Sequence, residues 1–492
     1  QTAVQPGSIR VFSMTIIQLL IVAVAAFFWG MVMRERGRAW FLLVASVFVI
    51  FWLQPALPIR GIDFWIPVAT LAITIFSWYI TAHEEARRAG KNWVVIAVIA
   101  GTVLLLNLTR YFPAAQFLTA SRPPQIEIYF AILVVSGLAC LLLTGLAKFN
   151  RTLLSISILA LILIFLSIKI PALTYWVSYG LRALVGQSLT DVKAVDFRWL
   201  GFSYIAFRLI HTMRDRQMGR LPVVDLGEYI TFVIFFPAFT AGPIDRIERF
   251  IQDLRRPFIR PGHDDLLIAG QRLLLGLFKK FVIADALALI ALNDTNALQV
   301  RVTGWAWILV YAYAFQIYFD FSGYTDIALG TSRLLGIHLP ENFSSPYLKP
   351  NLTQFWNNWH MTLTQWFRAY FFNPVTRWLR ALRVWQKPLP VPVMILLTQI
   401  ATMILIGFWH GVTWNFALWG LWHGLGLFIH NRWNDLTRVH ATAWAGTRLR
   451  KSILNISGVL LTFHFVAIGW IFFALSSPAV SWHVLLKLLS LR

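Results

Sequence analysis

Two short stretches hold most of the residues able to do chemistry. The first is Asn351-Leu-Thr-Gln-Phe-Trp356-Asn357-Asn358-Trp359-His360-Met-Thr-Leu-Thr-Gln-Trp366. The second is Gly407-Phe-Trp409-His410-Gly411-Val-Thr-Trp414-Asn415, leading into Trp419-Gly420-Leu421-Trp422-His423-Gly424. Histidine moves a proton near neutral pH, and burial favours its neutral, basic form. A neutral imidazole flanked by tryptophan and glycine suits removal of a proton from a hydroxyl, help worth about 10²–10⁴ in rate. His410 and His360 are the candidate catalytic residues, and Trp356, Asn357, Asn358, Trp359, Trp409 and Trp414 the candidate substrate-lining ones. The plainer alternative is that some of the eleven histidines only hydrogen-bond between helices. His423 lies thirteen residues after His410, about 20 Å along an unbroken helix. The two share a site only if the chain breaks near Gly411–Asn415, so His423 is expected to be a packing or hydrogen-bonding residue.

Other polar signals are weaker. His430 and Asp435 have the His-x₄-Asp spacing of glycerolipid acyltransferases, but the chain lacks the companion Phe-Pro-Glu-Gly, so a helix-end histidine beside Arg432 is the expected reading. Lys279 and Lys280 interrupt an apolar run; contact with a phosphate or an acyl carrier is one reading, and snorkelling to lipid headgroups is the expected one. Asp320, Ser322 and Asp326 are expected to satisfy one another inside the core. A Gly-x₄-Gly-Lys phosphate loop, a Gly-x-Ser-x-Gly elbow and a His-Glu-x-x-His metal motif are absent from the sequence. Cys140, the single cysteine, excludes an intrachain disulfide and a cysteine-based metal site.

The elements that position these residues belong to a membrane protein. Of 492 residues, 58% are hydrophobic and 13% charged, against about 45–50% and 25% in soluble domains. That excludes a soluble domain, a disordered chain and a disulfide-stapled module. The net charge of +22 lies mostly between apolar runs, where headgroups and the positive-inside bias explain it without nucleic acid. Apolar runs at Val11–Met33, Trp40–Leu57, Phe64–Ile80, Trp93–Leu108, Ile126–Leu146 and Leu153–Ile170 predict six spans, the first too long for a signal h-region. The chain starts at Gln1 without a methionine, so residues upstream are expected. Odd-numbered loops carry Arg34, Arg36, Arg38, Arg87, Arg88, Lys91, Lys148 and Arg151, and the opposite side Arg10, Arg60, Arg110 and Arg122, which predicts an extracytoplasmic N-terminus.

After Pro171 the apolar runs shorten and mix with charge: Leu200–Ile210, Tyr229–Phe239, Leu266–Leu292, Trp305–Phe319 and Phe355–Phe372. Polar residues at membrane depth must face protein or water, so some of these pieces are expected to be re-entrant or interfacial. Val391–Trp409, Phe416–Ile429 and Ile453–Leu475 are cleaner spans. The expected fold is all-α and polytopic, with about eleven to thirteen transmembrane helices. Residues 1–170 read as a lipid-facing frame and 171–492 as a catalytic core. Spacing alone leaves an intramembrane transferase and a proton-coupled transporter or flippase both open.

From about Leu200 onward the chain resembles the bacterial branch of the membrane-bound O-acyltransferase family. The resembling stretches are Phe236-Pro-Ala-Phe-Thr-Ala-Gly-Pro243-Ile, Gly276-Leu-Phe-Lys-Lys-Phe-Val-Ile-Ala-Asp285, Phe319-Asp-Phe-Ser-Gly-Tyr-Thr-Asp-Ile-Ala328 and Leu339-Pro-Glu-Asn-Phe-Ser-Ser-Pro-Tyr347, then the two histidine segments. The resemblance implies a central tunnel across the bilayer and puts the family's invariant histidine on His410 and its second on His360. It implies an acyl thioester donor, acetyl-CoA or a phosphopantetheine carrier, at the cytoplasmic face, and no bound cofactor or metal. The acceptor would be a hydroxyl of an extracytoplasmic polysaccharide or an acyl-relay protein, with His410 as its base and His360 positioning the thioester carbonyl or relaying protons. D-alanyl transfer to teichoic acid is the alternative within the class, and the cell inner membrane the expected location. Relatives read Trp-x-Arg-Asp-Tyr after the first histidine, where this chain has Trp366-Phe367-Arg368-Ala369-Tyr370, which leaves Arg368 without the neighbouring carboxylate.

Overall fold

The computed structural model describes residues 15–32, 35–144, 150–258, 260–384, 387–437 and 447–491. Arg10, Arg34 and Lys148, and the side chains of Arg36 and Cys140, lie outside the described residues.

The protein is an all-α, polytopic membrane protein. Among the described residues, the strands form a single two-stranded antiparallel hairpin, Arg383–Val384 against Lys387–Pro388. Among the described residues, five helices are long and apolar enough to cross a bilayer: Ile62–Thr81, Lys91–Tyr111, Arg151–Lys169, Val391–His410 and Arg448–Ala474. Three shorter apolar helices are Ile16–Val32, Gly37–Trp52 and Ile126–Val135. Other helices are shorter or carry charge, such as the 32-residue Thr303–Leu334, which contains Asp320, Asp326 and Arg333. Helices form where the apolar runs predicted them because no backbone group can stay unpaired in hydrocarbon.

The chain folds into two compact units. One comprises residues 17–270 and 328–339; the other comprises residues 1–16, 271–327 and 340–492.

In the first unit, the predicted run Tyr229–Phe239 is only partly helical. The helix Leu226–Val233 ends, and residues 234–246 continue without a regular helix although nearly all are buried. Buried irregular backbone needs partners. Arg208, 2% exposed, supplies them: its guanidinium donates to the carbonyls of Phe232 (3.2 Å), Val233 (2.7 Å) and Ala238 (3.0 Å). Arg38, counted above as a loop charge, is likewise buried and donates to the carbonyls of Leu335, Gly336 and Asp253. It stays charged in the interior because a fork of carbonyls replaces water.

The predicted run Leu266–Leu292, which lies in the second unit from Gln271 onward, changes pitch part-way. An α-helix from His263 gives way to a π-helical turn, Lys279–Ala284, before Asp285–Ala288. Phe355–Phe372 breaks into Leu352–Asn358, Met361–Phe367 and a second π-helical turn, Arg368–Phe372. Neither seven-residue helix is long enough to span a membrane.

Candidate active site

Helices Val391–His410 and Trp414–Thr437 form an antiparallel hairpin broken at Gly411–Thr413. Glycines let the two backbones touch. A Cβ on Gly407 would lie 2.2 Å from the Phe416 carbonyl oxygen, and one on Gly420 would lie 2.5 Å from Ile404 Cα. Such close approach is how helices pack where the hydrophobic effect is weak. The break brings together what an unbroken helix would hold apart. His410, the last residue of its helix, lies 6.0 Å from the Trp419 ring, and Trp419 lies 5.0 Å from His423. His423 therefore joins the His410 ring cluster.

His410 is half-buried, with Trp409 at 4.5 Å and Phe473 at 4.7 Å between ring centroids. His360 is 2% exposed and lies 6.1 Å from the Trp409 ring, so Trp409 is a neighbour of both histidines. Phe321 closes on His360 edge-on at 4.6 Å.

His360 occupies a left-handed backbone conformation, φ 42° and ψ 54°, between two short helices. Positive φ is uncommon outside glycine and costs about 1–3 kcal/mol, which the surroundings must supply. Here they are the segment around Asn342. Ser344 N donates to the Asn358 carbonyl (3.1 Å), Met361 N donates to the Asn342 carbonyl (3.0 Å), and Phe343 pairs with Trp359 in an isolated antiparallel bridge. Asn342, 0% exposed, also presents its Oδ1 to Thr362 Oγ1 (2.6 Å), Thr362 N (3.4 Å) and His360 Nδ1 (3.3 Å). A backbone N–H can only donate, so this oxygen is the acceptor and His360 carries its proton on Nδ1. Nε2 is left with its lone pair, buried and without a hydrogen-bond partner. His360 lies outside the five spanning helices, and burial favours its neutral form.

The remaining candidates separate. Trp356 packs against His423 (5.1 Å) and Trp419 (5.7 Å). Asn357 accepts a hydrogen bond from Arg368 (2.6 Å), so an amide faces this cation. Both residues line a cavity of about 200 Å³ with Thr364, Gln399, Thr402 and Asn431. Trp359 is buried against Tyr347, Phe355 and Trp470, and Asn358 donates to the Gln354 carbonyl within its own helix. Trp414 is 79% exposed at the start of its helix.

Several other expectations change. Asp320 and Asp326 do not satisfy one another: Lys280 pairs with Asp320, while Lys279 (2.6 Å) and Arg272 (2.5 Å) pair with Asp326. The lysines accordingly face carboxylates and not headgroups. His430 contacts Thr353 (3.2 Å) and Asn434 (3.0 Å), whereas Asp435 pairs with Arg432 (2.6 Å), so the His-x₄-Asp spacing makes no acid–base pair.

The sequence matches the family described as MBOAT, membrane-bound O-acyltransferase, over residues 143–477, which include all six motif stretches and the whole histidine cluster. The chain belongs to the membrane-bound O-acyltransferase family. It is 32% identical over 320 residues to a teichoic acid D-alanyltransferase from Streptococcus thermophilus, covering 61% of this chain and 75% of the relative. Over 458 residues, 92% of this chain and 69% of the relative, it is 28% identical to a probable alginate O-acetylase from Pseudomonas aeruginosa. A peptidoglycan O-acetyltransferase from Helicobacter pylori is 33% identical over 251 residues, 50% of this chain and 43% of the relative. As a family member the protein is an integral membrane O-acyltransferase. The match to the alginate relative must also take in most of residues 1–170, where no motif stood out.

Proposed function

We propose that the protein transfers a short acyl group, acetyl before others, from a cytoplasmic thioester to a hydroxyl of an extracytoplasmic polysaccharide or another envelope acceptor. The observation that carries this reading is that Trp409 neighbours both a half-buried histidine and one whose tautomer is set. His410, the more accessible, takes the hydroxyl proton; the acceptor oxygen attacks the thioester carbonyl, the C–O bond forms, the C–S bond breaks, and the proton leaves with the thiolate. The proton of His360 is engaged by Asn342, so its Nε2 can accept but not donate while neutral. That favours proton relay by His360 over donation to the carbonyl oxygen.

The donor is acetyl-CoA or a phosphopantetheine carrier docked at the cytoplasmic face, and the acceptor is reached directly or through an extracytoplasmic acyl-relay protein. The location is the cell inner membrane, with the N-terminus outside. D-alanyl transfer is the second reading, favoured by the coverage of the D-alanyltransferase relative.

The test offers proteoliposomes either acetyl thioester or D-alanyl carrier and measures ester formed on a polysaccharide acceptor. Acetyl ester formed by the wild type and lost in His410→Ala supports the reading. Aminoacyl ester alone moves it to D-alanylation, and cargo relocated without any ester makes the protein a flippase.

A further inference from the structure

A cluster outside the acyl-transfer site has the chemistry of a metal centre. His211 and Asp215 stand one turn apart on the helix Phe202–Gln217, and Glu248 lies in the first turn of the helix Ile247–Arg255. His211 Nε2 is 3.1 Å from Asp215 Oδ2 and 4.0 Å from Glu248 Oε2, and one donor atom from each residue lies within 4.8 Å of the others. Tetrahedral zinc with bonds of about 2.0–2.1 Å sets its donors about 3.4 Å apart, a value these two separations bracket.

Burial and charge point the same way. His211 is 1% and Asp215 5% exposed, and Glu248 Oε2 is buried without a hydrogen-bond partner although the rest of its side chain reaches the surface. Arg214 and Arg249, each next in sequence to one of the two carboxylates, are engaged elsewhere, Arg214 with Gln217 (2.6 Å) and Arg249 with Asp245 (2.6 Å). Two carboxylates thus converge on an imidazole in a chain of net charge +22. One imidazole and two carboxylates suit a borderline divalent ion and neutralise its two charges.

We propose that His211, Asp215 and Glu248 bind one divalent transition-metal ion of the zinc type, with water completing the shell. The ion joins two helices and has no part in acyl transfer. It anchors the helix whose Arg208, one turn before His211, holds the buried irregular backbone at Phe232–Ala238.

The test uses the full chain in detergent, purified without a polyhistidine tag, stripped with a chelator and dialysed against zinc. Elemental analysis gives bound zinc, and cobalt replacement gives the visible d–d spectrum of the site. The expected result is one equivalent per chain, lost in Asp215→Asn and bound roughly tenfold or more weakly in Glu248→Gln. His263→Ala, at an exposed histidine in another helix, keeps it. Glu248→Gln is decisive because its partly exposed side chain can change without disturbing the fold. A folded wild type that retains no zinc overturns the proposal, as does an unchanged equivalent in the Asp215→Asn/Glu248→Gln double variant. Either result would make the cluster a hydrogen-bonded triad only.

Discussion

Asn342 Oδ1 accepts from His360 Nδ1 at 3.3 Å while also accepting from Thr362, so an amide eighteen residues upstream decides which nitrogen of His360 is basic. Asn342 Nδ2 has no hydrogen-bond partner, so only the oxygen is in use.

Asn342→Leu should lower kcat, by up to the roughly 10²–10⁴ that a positioned base contributes. Asn342→Asp keeps the acceptor and should keep substantial activity. Its carboxylate stabilises the imidazolium, so the pKa of His360 rises, and a base that works deprotonated is lost at higher pH than in the wild type. In the wild type, burial puts that transition below the ordinary histidine range. The pH profiles of kcat for the two forms check the direction: the acid limb must move up in Asn342→Asp.

His410→Ala and His360→Ala should both abolish acyl transfer, yet differ in stability. His410 is half-buried at a helix end against Trp409 and Phe473, and its loss should cost about 1 kcal/mol. His360 is enclosed and bonded to Asn342, and its loss should cost about 1–3 kcal/mol. Thermal melting in detergent, read beside activity, separates the two.

Gly420→Val should unfold or loosen the helical hairpin, because the new Cβ would fall 2.5 Å from Ile404 Cα, an atom that cannot move without its helix. Overpacking of this kind costs about 1–3 kcal/mol or more. Gly424→Ala meets Ile400 Cα at 2.9 Å and should be milder. The order of their melting temperatures checks the prediction.

Lys280→Met should cost about 1–3 kcal/mol, because it removes the ion pair with Asp320. Adding Asp320→Asn should recover much of that loss. A double-mutant cycle on melting temperature measures the coupling, and simple additivity would count against the pair.

Helices at the six N-terminal apolar runs and at the last three are legible in the sequence because apolar length is a local property, though among the described residues only five of those nine are long and apolar enough to span: the run Phe64–Ile80 predicts a helix and Ile62–Thr81 is observed. Interior elements were less legible. Tyr229–Phe239 reads as one apolar run, but its non-helical half depends on Arg208, a residue more than twenty positions earlier whose partners only the tertiary structure supplies. The bounds of the Phe355–Phe372 segment were close, whereas its break at His360 depends on Asn342. For the candidate site, residue type and spacing picked out His360, His410 and Trp409. Asn342 escaped notice because a buried asparagine carries no periodic signal, although its motif had been singled out. His423 packs among Trp356, Trp419 and Phe465, as its distance along the helix predicts, although the chain does break at Gly411.

Lys279 and Lys280 are adjacent in sequence, yet both reach carboxylates on the helix Thr303–Leu334, six residues apart. Neighbours on a helix point in different directions, and from the π-helical turn at Lys279–Ala284 the two lysines accordingly reach carboxylates nearly two turns apart. The pairing acts as a two-pin connector. If one helix slid past the other by a single turn, both pins would leave their sockets and two charges would be stranded in a poorly hydrated interior. This joint does not glide, so movement that admits an acyl donor or releases a product must be carried by other parts of the fold.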